Sequence, residues 1–367
     1  MKKSSNLNGE FEYVLLDNNQ QDIDLRKKIA DLYSTPFADI QWCELYDPSL
    51  VNHGYYKLFY YEQSVLKHII LFKYSSKAPT KIFVLNQQIH ISLKDVENIS
   101  HILFNEFNKV QQIIFEKIFE PDEKQSPKMI LEWTPINDVI ILDMAHSMDD
   151  YLSSLGKRTR KKIKMMLICI TNDCPDIQVH HYEKTNISLE LIRKIVSLNR
   201  CRMKNKGIIS DLNDTECNIL HQYATASGYG SVCTCEINGK IISAAVSSVI
   251  GKHAYLHVLT HDESYNRYSL GQVTLAHTTK YMIEERKIKD LHLLCGTQEY
   301  KFRHGGVNHV LYNCLVFRKK NIYYSIGKIM SFFRESFWKI RRRLKEDKTV
   351  FRFFVQLNKI KMKICGI

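Results

Sequence analysis

The sequence predicts a mixed α/β (α+β) protein, and three observations carry that reading. Runs of β-branched and aromatic residues with period-two alternation recur along the chain, bounded by turn residues. Between them lie longer stretches whose apolar residues return every three to four positions, as on one face of a helix. Asn238-Gly239 joins two β-rich runs, 230–236 and 240–250, with a dipeptide suited to a two-residue hairpin turn.

The chain is organised around residues 253–306. The segment 254–260 reads as a strand and 261–269 as a polar loop. Gly271 opens a helix with Leu275, Ala276, Thr279, Met282 and Ile283 on one face. Asp290–Cys295 is a second short strand, stopped by Gly296. A glycine at a strand-to-helix junction lets backbone approach a ligand closely. The first turn of the helix has unpaired N–H groups at the positive end of its dipole. Arg267, Tyr268, Ser269, Leu270, Gly271 and Gln272 therefore form a candidate anion-binding loop. It is not a P-loop, since no Gly-Lys-Ser/Thr follows, and it is not a GxGxxG turn.

The other elements follow in order. A short amphipathic helix is expected over 22–33, a hairpin over 55–61 and 65–74, and short strands over 81–84 and 88–91. A helix spans 93–110, and strands cover 129–133 and 138–143. Residues 147–166 read as one helix, with Ser147 as N-cap, acidic residues in the first turn and Lys/Arg in the later turns. A strand over 177–182 precedes helices over 188–204, closed at Gly207, and 212–226.

At 367 residues the chain is long enough for two domains of ordinary size or one large one. Ten cysteines lack a CxxC pair or a regular framework, so reduced thiols and a cytoplasmic setting are expected, and no zinc site. The polar start and the absence of a long apolar run predict neither a signal peptide nor a membrane span. The net charge of +13 is uneven: 320–367 carry thirteen Lys/Arg against three Asp/Glu, leaving the rest near neutral. That tail also places Ile326, Ile329, Met330, Phe333, Phe337 and Ile340 on one helical face. It predicts a basic amphipathic helix suited either to packing on the domain or to an anionic membrane surface. Nucleic-acid binding is not expected, because no recognition motif accompanies the charge.

Tyr268-Ser269-x-Gly271, about fifteen helical residues, a β-rich strand and Gly296-x-x-x-Tyr300-Lys301 together resemble the core of GNAT-superfamily acyltransferases. More narrowly, they resemble the acetyltransferases of bacterial polysaccharide and cellulose biosynthesis loci, relatives of Fem-type aminoacyltransferases. The resemblance extends over roughly 149–317 and includes the basic segment Lys157-Arg158-Thr159-Arg160-Lys161. It implies a GNAT acyl-CoA N-acyltransferase fold in two tandem halves: a degenerate half over 1–145, a catalytic half over 146–319, and the tail over 320–367. It implies acetyl-CoA or another acyl-CoA as donor, with its pantetheine entering where neighbouring strands splay. The acceptor would be an amine, such as an amino sugar or an envelope precursor.

Acyl transfer to an amine needs a base for the ammonium proton, a backbone N–H for the oxyanion and a proton donor for the thiolate. His257 and His261, on and just beyond the central strand, are candidate bases, and Glu236 is a third. Tyr300 is the candidate acid. Lys301 could hold a carboxylate or phosphate, and Arg158 and Arg202 are candidate substrate contacts. No GxSxG elbow or Ser–His–Asp order appears, which argues against a serine hydrolase. Two further readings stay open: a Fem-like enzyme using aminoacyl-tRNA, and a non-catalytic GNAT-fold scaffold at a membrane surface.

Overall fold

A computed structural model describes residues 2–5, 11–16, 24–74 and 79–346. Contacts divide the chain into two units, one built from residues up to Asp138 together with 309–340, the other centred on 139–308.

In the first unit β1 (Lys2–Ser5) and β2 (Phe11–Leu16) are followed by α1 (Leu25–Tyr33), α2 (Ile40–Tyr46) and α3 (Ser49–His53). Then come β3 (Tyr56–Glu62), β4 (Val65–Tyr74), β5 (Lys81–Val84), α4 (Leu93–Glu106) and β6 (Gln112–Phe119). Strands β1 to β5 pair antiparallel in sequence order. Strand β6 then lies parallel to β5, from Lys81↔Gln112 to Phe83↔Ile114. The β3–β4 turn places Gln63 and Ser64 at φ 50° and 61°, the left-handed pair a tight hairpin requires. The core gathers Phe59, Ile70, Phe72, Val96, Ile99 and Phe115.

Strand β7 (Ile130–Asp143) leads to the second unit. There α5 (Met148–Ser154), α6 (Lys157–Asp173), β8 (Gln178–Glu183), α7 (Leu189–Asn205) and α8 (Asp214–Ala226) precede β9 (Gly230–Ile237), β10 (Lys240–Ile250) and β11 (His253–His261). The helix α9 (Leu270–Glu284), strand β12 (Asp290–Cys295) and helix α10 (Glu299–Arg303) follow. Strands β8 to β11 are antiparallel, with Asn238 and Gly239 at φ 50° and 73° in the β9–β10 turn. β12 is parallel to β11, and β7 closes that edge antiparallel through Val139–Asp143. Helices α5, α6 and α9 cover one face, where Leu270, Val273 and Ile283 meet Ile163, Met166 and Cys235. On the other face α7 and α8 pack Ile192, Ile195 and Leu220 on Val232 and Val246.

The chain then returns to the first unit, with β13 (Val307–Phe317) antiparallel to β6 and α11 (Ile322–Glu346) after it. Residues 309–340 group with the first unit.

Several local expectations change. Residues 88–91 form no strand; Gln88 sits at φ 51° and breaks the extended run. The helix expected over 93–110 ends at Glu106, where Phe107 leaves helical geometry. The two strands expected over 129–133 and 138–143 are one continuous strand, whose Pro135 and Asn137 do not interrupt it. The helix expected over 147–166 is two. Ser147 caps α5 by accepting from Asp150 N at 3.1 Å. Leu155 then turns extended and is buried, and α6 starts after Gly156. The basic run therefore occupies the first turns of α6, at the positive end of its dipole, where cations are disfavoured unless an anion meets them.

Candidate active site

Strands β11 and β12 pair over three positions only, His253↔Asp290, Ala254↔Leu291 and Tyr255↔His292. Among the described residues β11 then runs on to His261 and β12 to Cys295 without further pairing to each other. A β-bulge marks the same point. Val246 faces Val258 and Ser247 faces Leu256, so His257 is the extra residue. Leu256 consequently packs toward α9, while Val258 packs toward α7 and α8. His257 Nε2 lies 2.8 Å from Ser248 Oγ. Burial lowers its pKa to about 4, so the ring is neutral at pH 7.

At the far end of β11 charged and polar groups from several elements are coupled electrostatically. His261 Nε2 lies 3.0 Å from Asn266 Oδ1. A carboxamide oxygen can only accept, so Nε2 carries the proton and Nδ1 presents a lone pair. Burial, and then the charges of Arg202 and Lys206, hold the ring below its ordinary pKa. Arg202 in turn feels Glu263 and Tyr300. Its Nε is buried with no hydrogen-bond partner. Burial pushes the Tyr300 phenol up, partly offset by Arg202, and keeps it protonated at neutral pH. Lys206, one helical turn after Arg202, has its pKa lowered by burial and by that arginine.

The α9 N-terminus abuts this cluster. A Cβ added to Gly271 would stand 3.0 Å from His261 Nδ1, so glycine is what lets the imidazole lie against the helix. Ser269, at φ 52°, provides no side-chain cap, and the first turn holds no acidic residue. The helix therefore starts with uncapped N–H groups, the condition for accepting an anion. Other members of the loop are committed to the fold. Leu270 is fully buried, and the Gln272 N–H donates to Ser269 O. Tyr268 is buried and donates to Asp173 Oδ2 at 2.9 Å. Arg267 folds back over the Tyr268 ring at 4.5 Å.

Three sequence candidates fall elsewhere. Glu236 is held by Thr234 Oγ1 at 2.7 Å and Tyr182 OH at 3.3 Å. Lys301 is buried, and its ammonium donates to the carbonyls of Leu293, Leu294 and Cys295. It fastens the end of β12 instead of facing a ligand. Arg158 is exposed in the first turn of α6. Sequence reasoning missed Lys206, Glu263 and Asn266. Only Lys206 had a signal, its four-residue spacing from Arg202.

No cation site was legible from ligand spacing, yet His253, Asp290 and His292 bring candidate ligand atoms within 4.8 Å of one another. Asp290 bridges the two rings, at 2.8 Å from His253 Nδ1 and 3.0 Å from His292 Nε2. Burial would raise this carboxyl's pKa. The two histidine hydrogen bonds outweigh it and hold the pKa well below the usual range.

Residues 192–302, from α7 through α10, match the family model described as the acetyltransferase (GNAT) domain. This match supports an acyltransferase built on a GNAT-like fold. The matched span contains His257, His261, Arg202 and Tyr300 and the loop before α9. Among solved structures, that of FemX is similar with a TM-score of 0.59 at 10% identity, covering 85% of this chain and 99% of FemX. L-PGS from Bacillus licheniformis gives 0.47 at 10% identity, covering 72% of this chain and 84% of that one. A tandem GNAT protein from the clavulanic acid biosynthesis pathway gives 0.42 at 9%, covering 85% of this chain and 100% of that one. No curated protein matches this chain by sequence.

Proposed function

We propose that this acyltransferase moves an acyl group from a CoA thioester to the amine of an anionic acceptor, for which an amino-sugar phosphate or a similar envelope precursor has the right chemistry. The observation that carries the reading is the neutral His261, set between the uncapped α9 N-terminus and the Arg202–Lys206 pair.

The α9 N–H groups would take the donor's pyrophosphate. The unpaired edges of β11 and β12 would receive the pantetheine arm, and a free backbone N–H there would face the oxyanion. His261 Nδ1 accepts a proton from the attacking ammonium. The amine then adds to the thioester carbonyl, the C–S bond breaks, Tyr300 protonates the departing thiolate, and the second proton lost by the amide nitrogen restores the Tyr300 phenol. Arg202 and Lys206 attract the acceptor's anionic group and also keep His261 unprotonated.

Calorimetry with acetyl-CoA tests the donor. Wild type should bind, and Gly271→Glu should weaken binding at least tenfold, because it puts a carboxylate at the phosphate position and displaces His261. Binding of aminoacyl-tRNA with no binding of any short-chain acyl-CoA would reject this donor and favour the Fem-like alternative. Binding of neither would leave the scaffold reading.

A further inference from the structure

The C-terminal helix α11 is docked the opposite way round from an ordinary amphipathic surface helix. Its inward face is small and polar. Gly327 sits so close to Phe317 that an added Cβ would come within 2.5 Å of the ring. Ser331 is buried, and Tyr324 packs edge-on against Phe317 at 5.4 Å. Asn321 Oδ1 accepts from Tyr323 N and Tyr324 N, and Asn321 Nδ2 donates to Gln111 at 3.0 Å. These contacts fix the rotation of the helix about its axis.

The opposite face is apolar and points outward. Ile326, Ile329, Met330, Phe333, Phe337 and Ile340 are between 47% and 68% exposed. Leaving so many large apolar side chains in water is unfavourable unless something covers them. Basic residues flank the stripe, among them Lys328, Arg334, Lys339, Arg342 and Arg343, with Glu335 the one acid in the middle of the helix. A second copy of the chain laid on this face would bring like charges together. An anionic bilayer satisfies both features, since its headgroups meet the cations and its acyl boundary takes the apolar stripe. Among the described residues no helix is long and apolar enough to cross a membrane, so the helix would lie in the interface plane.

We propose that the outward face of α11 is a docking surface for an anionic lipid bilayer. This holds whatever the acyl donor proves to be. The test is co-sedimentation of the full chain with vesicles of phosphatidylcholine containing about one third phosphatidylglycerol, against pure phosphatidylcholine. Binding should be at least tenfold tighter to the anionic vesicles and should weaken as salt rises. Phe333→Glu/Phe337→Glu should abolish it while the circular dichroism and melting temperature stay at wild-type values, since both rings are exposed. Arg342→Glu/Arg343→Glu should weaken it and flatten its salt dependence. Equal or absent binding to the two vesicle types would overturn the proposal. So would a dimer, seen by light scattering, that the phenylalanine double variant dissociates without any change in vesicle binding.

Discussion

β5–α4–β6 in the first unit and β11–α9–β12 in the second share one topology. In each, an antiparallel series ends in a strand, a helix crosses over, and the next strand lies parallel for three residue pairs before pairing stops. The strands that continue each series are exchanged in sequence: β13 pairs with β6, and β7 with β12. The two crossings differ at the helix N-terminus. In α4, Ser92 Oγ accepts from Asp95 N at 3.1 Å, and the Asp95 carboxylate sits in the first turn and reaches His68 at 3.2 Å. The positive end of that helix is already neutralised. In α9 the cap is absent, the acid is absent, and Gly271 leaves room for His261. The same crossover is thus capped in one unit and uncapped in the other. A repeated fold does not repeat a site; a few side chains at one helix start decide it.

The sharpest way to break this comparison is at His261. His261→Ala should lower kcat about 10²–10⁴-fold, as removal of a general base does. His257→Ala, which removes the bond to Ser248 at the bulge, should cost far less. Steady-state kinetics on both variants settles it, and equal losses would mean that His261 has no special role.

A second expectation concerns acid. Burial lowers His257, His277 and His304, all in the second unit, to about 4. In the unfolded chain they titrate near 6.5, so between those values the unfolded state binds more protons than the native one. Stability from this source is flat above pH 6.5 and falls as pH drops toward 4, by up to roughly 3 kcal/mol for each ring. Limited proteolysis from pH 7 to pH 5 should open the second unit progressively. Unchanged cleavage across that range would refute the idea.

The smallest effect compares the two serines. Ser92→Ala should cost about 1 kcal/mol, because it removes a working N-cap. Ser269→Ala, whose hydroxyl caps nothing, should change stability by under about 0.5 kcal/mol. Urea melts of both would show whether the α9 start is as open as its geometry indicates.

Much of the second unit was readable from local rules. Asn238-Gly239 produced its turn, Ser147 capped its helix, and Asp290–Cys295 formed as expected. The errors came where tertiary packing overrode local preference. Leu155 broke a helix because its side chain entered the core. Glu236 and Lys301 carry suitable functional groups, but neighbouring hydroxyls and backbone carbonyls already occupy them. The bulge at His257 gave no local sign, since it exists only as a mismatch between β10 and β11.

By itself the sequence determined which segments are helix and strand through most of 178–303, the glycine before α9 and the apolar stripe of α11, because periodicity and turn chemistry are local. Tertiary structure alone decided that the charges of Arg202, Lys206 and Glu263 act on His261, that two histidines share Asp290, and that the stripe of α11 faces outward. Those facts depend on which surfaces meet when distant segments pack. Charge interactions and burial at such meetings set the proton positions on which the proposed chemistry depends.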